Sequence, residues 1–275
     1  MRATTLRLGS RDVDIGDRAV VMGVLDVNGP GAAADRSLAD LVRRAGHLVD
    51  QGADLLDLEV EGGAPGHDAG GDLEAVARVV GAVTERVDVP LSVATSREAV
   101  ARAAFGAGAV MVNDRTGCTD HAFLAAVAEW GATVVGGHRG PVGGAPDATA
   151  DTVRDFLAGW AGQARAAGIP PDRIVLDGGL GQDGSTGQAL ALLRASGLLA
   201  DLGHPVLLSL VDTAFVGTVR RPAHGRSDGP AELDASALAA SALGAVLGCR
   251  VVRTRDVTGH RQVCAVVAAV RGAAR

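Results

Sequence analysis

Eight short apolar runs, rich in Val, Leu and Ile, recur along the chain at 19–25 (AVVMGVL), 54–60 (DLLDLEV), 90–94 (PLSVA), 109–113 (AVMVN), 132–136 (ATVVG), 173–177 (RIVLD), 205–210 (PVLLSL) and 250–253 (RVVR). Between them lie stretches rich in Ala, Leu and Arg that predict helices over 34–50, 72–86, 96–106, 120–130, 150–167, 187–196, 232–247 and 259–272. Strands that are apolar throughout and separated by helices predict a parallel sheet covered by helices. Eight such units in 275 residues predict an α/β fold of the (β/α)8 barrel type, for which roughly 250 residues is typical. A doubly wound open sheet is the alternative. The opening TLRLGSRDVDIGD reads as a short N-terminal hairpin that closes the barrel floor. No linker or internal repeat divides the chain, so residues 1–275 read as one domain, with GPVGGAPDATA at 140–150 as a flexible loop.

The net charge is −6 and no stretch concentrates positive charge, which argues against nucleic acid and anionic membranes as partners. The first residues are too polar for a signal peptide, and no apolar run approaches membrane-spanning length; a cytoplasmic protein is the expectation. Cys118, Cys249 and Cys264 lack C-x-x-C spacing and read as buried, reduced thiols. There is no Lys and no Tyr in the chain, and every basic side chain apart from His is Arg. Schiff-base chemistry and a phosphate-loop Lys are thereby excluded.

In a barrel of this type, function sits at the C-terminal ends of the strands. Those ends carry Asp26 and Asn28, Glu59 and Glu61, Ala94-Thr95, Asn113-Asp114, His138 with Arg139, Asp177, Ser209 with Asp212, and Arg253 with Arg255. A mouth lined by amides, carboxylates and arginines suits a polar, hydrogen-bonding ligand with an anionic part.

The stretches VMGVLDV, GADLLDLEVEGGAPG, VPLSVAT, GAGAVMVND, IVLDGGLG, PVLLSLVDTAFVG and GCRVVRTRDV resemble, in order and spacing, the dihydropteroate synthase family. The resemblance covers almost the whole chain and is specific only when the stretches are taken jointly. It implies a (β/α)8 barrel that dimerises through its late helices. It also implies an enzyme that joins a pterin methyl pyrophosphate to 4-aminobenzoate, with Mg2+ assisting departure of the pyrophosphate. Carried onto this sequence, it makes Asn113 and Asp177 the residues that hydrogen-bond the pterin ring, and Arg253 the one that holds the ring face and the phosphates. Asp26 and Arg255 stand where the family has an Asn and a His beside the pyrophosphate and metal. Asp26 is therefore a candidate Mg2+ ligand, or a partner for Arg255 across the mouth.

The departures lie mainly in the loops. Where the family has Ser-Arg-Lys after the seventh barrel strand, this chain has Val211, Asp212 and Thr213; where it has an Asp after the third, this chain has Ala94. The first two substrate loops and the Phe-Gly-Lys stretch, here Gln182-Asp183-Gly184, also differ. These departures predict a diverged paralogue that keeps part of a pterin and anion pocket, has lost the aminobenzoate site and the catalytic Lys, and makes no dihydropteroate. On that expectation the protein is a repurposed transferase or a binder of a pterin-like or phosphate-bearing ligand. A non-catalytic structural or regulatory partner and a working synthase are the alternatives.

Blander readings stand beside each of these residues. Asn113-Asp114 can cap the following helix, Asp177 can bond amides of its Gly-rich loop, and Asp57 reads as a structural carboxylate. His138 reads as a loop histidine, and Glu59 and Glu61 as a solvated pair.

Overall fold

The computed structural model describes residues 3–27, 37–60, 73–114, 117, 120–139, 146–180, 185–211 and 230–273. Strands β1 (Thr5–Leu8) and β2 (Arg11–Asp14) form an antiparallel hairpin with Leu8 opposite Arg11. Its two-residue turn begins at Gly9, whose φ of 62° is a conformation that glycine adopts without a Cβ penalty. Eight parallel strands follow: β3 (Val20–Asp26), β4 (Leu55–Glu59), β5 (Leu91–Ala94), β6 (Met111–Asp114), β7 (Thr133–Gly137), β8 (Ile174–Asp177), β9 (Val206–Ser209) and β10 (Cys249–Thr254). They close in sequence order, β10 pairing with β3, so the sheet is a barrel and not an open doubly wound sheet.

The enclosing helices are α1 (Leu38–Asp50), α2 (Leu73–Arg86), α3 (Glu98–Gly106), α4 (His121–Glu129), α5 (Pro146–Ala166), α6 (Thr186–Arg194), α7 (Ser196–Ala200), α8 (Pro230–Leu247) and α9 (Val257–Ala273). Local sequence sets several of their starts. Ser37 and Asp120 cap α1 and α4 through their side chains, and Ser185 with Gln188 forms a capping box on α6. The stretch at 140–150 is not loop throughout, because α5 begins at Pro146. Proline suits a first helical turn, where its missing N–H has no partner to lose. The helix expected over 187–196 breaks at Ala195, where the Ser196 hydroxyl donates to the Leu193 carbonyl at 2.8 Å.

Two cores result from the two-residue period of the strands. Val21, Leu25, Leu56, Leu58, Val93, Val112, Val134, Leu176, Leu208 and Val252 point outward and pack under the helices. The alternate residues Val20, Met22, Leu55, Met111, Val135, Val175, Leu207 and Val251 fill the barrel, plugged from below by Leu6, Leu8 and Ile15. Among the described residues no helix is long and apolar enough to cross a membrane. Cys249 and Cys264 are buried and free, and burial pushes each thiol up to about 11, so both stay protonated. Cys118 lies outside the described residues.

Candidate active site at the barrel mouth

The inward-facing period that fills the barrel with aliphatic side chains changes character at the upper ends of the strands. Continuing it upward on each strand gives Asp26, Asp57 and Glu59, Ala94, Asn113, Gly137, Asp177, Ser209, and Arg253. Six of the eight strands deliver polar side chains to one enclosed layer above an apolar plug. Asp57 lies at its centre with no exposed surface. Its Oδ2 accepts from Arg253 Nε at 2.7 Å and from Asn113 Nδ2 at 3.1 Å. Burial disfavours the Arg253 charge, but Asp57 and Glu59 outweigh that and hold its pKa above the ordinary value. Asp57, read from sequence as structural, is thus the hub that fixes two predicted ligand-binding residues. The signal was a carboxylate on the inward period of an otherwise apolar strand.

At the rim, Arg255 Nη2 lies 3.5 Å from both Asp26 Oδ2 and Glu59 Oε2, and its Nη1 donates to the Val211 carbonyl at 3.2 Å. The Asp26–Arg255 pairing expected across the mouth is present, with Glu59 as a third member. Arg44 also donates to the Asp26 carbonyl at 3.4 Å. On the far side, Asp177 Oδ1 accepts the Gly179 amide at 2.9 Å, and its Oδ2 lies 3.4 Å from Arg139 Nη2. The loop-anchoring reading of Asp177 holds for Oδ1, and Oδ2 is turned to Arg139. Gly179, at φ 70°, packs so closely under the His138 carbonyl that a Cβ would collide with it. This contact ties the loop after β8 to the end of β7.

Other predicted residues are placed elsewhere. His138 turns away from the mouth and packs edge-on against Phe156 of α5, with ring centroids 5.1 Å apart. Burial, reinforced by the neighbouring Arg139 charge, lowers its pKa, so the imidazole is neutral at pH 7. Asn113 does not cap α4, since Asp120 does so and Asn113 faces Asp57. Asn28, Glu61, Asp212, Thr213 and residues 182–184 lie outside the described residues.

Several buried atoms of this layer have no hydrogen-bond partner among the described residues: Asp57 Oδ1, Asn113 Oδ1, Arg139 Nε and Nη1, and Arg253 Nη2. Each such group costs about 1–3 kcal/mol if left unmet. Their convergence on one end of one barrel marks a site that a polar ring with both donors and acceptors would satisfy. Asp26 and Glu59, on adjacent strands and paired in register, also suit a hard cation whose remaining ligands come from phosphate oxygens. Among the described residues no group of three or more His, Cys, Asp or Glu side chains could hold a metal by itself.

A closed barrel with an amide–carboxylate–guanidinium layer at its C-terminal mouth has the architecture of the barrel enzymes, whose sites lie at that face. More particularly, the sequence pattern of the pterin binding enzymes matches residues 22–255, and the chain belongs to that family. A dihydropteroate synthase of Streptococcus pyogenes is 32% identical over 95% of this chain and 98% of its own. A dihydropteroate synthase of Xanthomonas albilineans, solved with 4-aminobenzoic acid, superposes with a TM-score of 0.86 at 30% identity, covering 98% of each chain. One from Coxiella burnetii, solved with pteroic acid, gives 0.85 at 26% identity over 98% of this chain and 100% of its own.

These relatives overturn the expectation of a diverged paralogue that makes no dihydropteroate. Chains 29–32% identical over at least 90% of this one carry the name dihydropteroate synthase. The expectation rested on Lys, Ser and loop positions after individual strands. It assumed that each chemical role stays on its strand, whereas a barrel mouth brings eight strand ends together.

Proposed function

We propose that the chain is a working dihydropteroate synthase, joining a pterin methyl pyrophosphate to 4-aminobenzoate. The observation that carries this reading is the buried Asp57–Asn113–Arg253 network beside Asp177 at the barrel mouth, in a chain of this ancestry. Asp177 accepts N–H groups of the aminopyrimidinone edge, while Asn113, with its Oδ1 unpartnered, accepts from the ring. Arg253, held charged and oriented by Asp57, lies under the ring and the phosphates. In the reaction the bond between the pterin methylene and the pyrophosphate oxygen breaks and the electron pair leaves with pyrophosphate. The aniline nitrogen forms the new C–N bond and gives up a proton. Arg253 and Arg255 stabilise the developing charge on the leaving group.

Asp26 and Glu59 would hold a Mg2+ ion together with pyrophosphate oxygens, and the ion would supply further positive charge to the leaving group. We assign the protein to the cytoplasm, where its buried free cysteines would stay reduced. A homodimer is also part of the reading, with the late helices as the contact. Leu243 and Val246 on α8, and Val266 and Val270 on α9, are 55–67% exposed and are spaced about one helical turn apart within each helix.

Isothermal titration with 6-hydroxymethyl-7,8-dihydropterin pyrophosphate tests the ring-binding half of the reading. The wild type should bind it, and Asp177→Ala should lose at least tenfold in affinity while melting cooperatively. Equal affinity in the two proteins would show that the mouth does not hold the ring this way.

A further inference from the structure

Arg139 is a mouth residue that this function leaves unassigned. It follows β7 by two residues, and the β7–β8 register places Gly137 beside Asp177. Its guanidinium consequently reaches the Asp177 carboxylate. The side chain is 12% exposed, a low value for a cation whose one hydrogen bond among the described residues, to Asp177 Oδ2, is long at 3.4 Å. Its Nε and Nη1 are buried without a partner. The other two arginines of the mouth are engaged differently: Arg253 is held by Asp57, and Arg255 by Asp26 and Glu59.

Two glycines make room for this arrangement. A Cβ on Gly137 would press on the Asp177 side chain at 3.1 Å. Gly117, at φ 102°, would with a Cβ approach the Gly137 carbonyl at 3.3 Å and the Arg139 side chain at 4.0 Å. Arg139 therefore stands with two unpartnered, buried donors immediately beside the Asp177 acceptor.

The pterin ring presents the complement along one edge, where a 2-amino group and N3–H donate and the C4 carbonyl accepts. A carboxylate that takes the two donors places the carbonyl beside itself, and an unmet carbonyl in a buried site carries a desolvation cost. We infer that Arg139 is a specificity-determining residue, donating through Nε–H or Nη1–H to the C4 carbonyl of the ring whose amino edge Asp177 accepts. The inference rests on the pterin-binding reading above and deepens it. In a chain without Lys, it also identifies an arginine from the fifth barrel strand as the cation at this edge of the ring.

The experiment compares 6-hydroxymethylpterin with 2,4-diamino-6-hydroxymethylpteridine, in which the C4 carbonyl is replaced by an amino donor that would face the Arg139 donors. Affinities are measured calorimetrically at pH 7 for the wild type, Arg139→Met and Arg139→Lys, with a thermal melt of each to confirm folding. The wild type should prefer the pterin at least tenfold. Arg139→Met should lose most of that preference through weaker pterin binding, and Arg139→Lys should restore part of it. Pterin binding with unchanged affinity and preference in Arg139→Met, or a wild type that binds both compounds equally, would overturn the role of Arg139 while leaving the pterin reading intact. A wild type that binds neither compound would overturn both.

Discussion

Arg253 Nε donates to Asp57 Oδ2 at 2.7 Å across the barrel interior, joining β10 to β4 over 196 residues of sequence. The pair does two things at once: it neutralises a carboxylate with no solvent contact, and it aims the guanidinium at the mouth. Asp57→Asn should keep the fold but leave Arg253 less firmly oriented. Displacing a positioning group by even 1 Å can cost about a hundredfold in rate, so kcat/KM should fall by a factor of that order. Asp57→Ala, which leaves a buried arginine unpaired, should cost about 3–5 kcal/mol in denaturant unfolding. Wild-type kinetics in Asp57→Asn would show that the network is packing alone.

Arg255 spans Asp26 and Glu59 at 3.5 Å each, so the rim already carries its own counter-charges. Asp26→Asn should release part of the Arg255 charge and strengthen pyrophosphate binding when Mg2+ is absent. The same change should weaken the enhancement that Mg2+ brings, because a carboxylate ligand is gone. Calorimetric titration of pyrophosphate with and without Mg2+ checks both. Weaker binding by Asp26→Asn in metal-free buffer would contradict the self-paired rim.

At the opposite end of the barrel, Asp54 accepts from both Nη atoms of Arg18 at 2.7 and 2.8 Å, from Arg261 at 3.0 Å, and from the Val21 amide at 2.8 Å. Burial alone would raise its pKa, but these partners outweigh it and the net direction is down. The unfolded carboxylate titrates near 3.9 and the folded one below that. The stability it contributes is therefore fully present above about pH 4, and is lost as the pH falls through the folded value. Asp54→Asn should lower Tm at pH 7, with the gap to wild type closing at more acid pH. A gap that stayed constant down to the acid limit would refute the linkage.

The exposed aliphatic residues of the last two helices predict self-association. Leu243→Glu combined with Val270→Glu should shift the mass measured by light scattering from dimer to monomer, with a charge now buried at the contact. An unchanged mass would place the contact elsewhere or remove it.

The barrel was legible because strands buried on both faces read as continuous apolar runs, as AVVMGVL and PVLLSL do. The predicted ligand residues could be placed on one layer because strand ends in such a fold converge. What could not be read was lateral. That Asp57 would bind Arg253, or that Arg139 would lie against Asp177, depends on barrel closure and on which residues face each other across it. His138 shows the same limit, since one step along the strand end separates a residue facing α5 from one facing Asp177. Reading the loops residue by residue erred in the other direction, taking lost motifs for departure from a family whose relatives carry the name dihydropteroate synthase.

Turnover of both substrates measures the proposed catalysis most directly. Purified protein supplied with 6-hydroxymethyl-7,8-dihydropterin pyrophosphate, 4-aminobenzoate and Mg2+ should form dihydropteroate, identified by mass, with stoichiometric release of pyrophosphate. Asp177→Ala and Asp57→Ala serve as the impaired controls. Absence of dihydropteroate above the no-enzyme background, from protein that binds the pterin substrate, would contradict the proposed synthase activity.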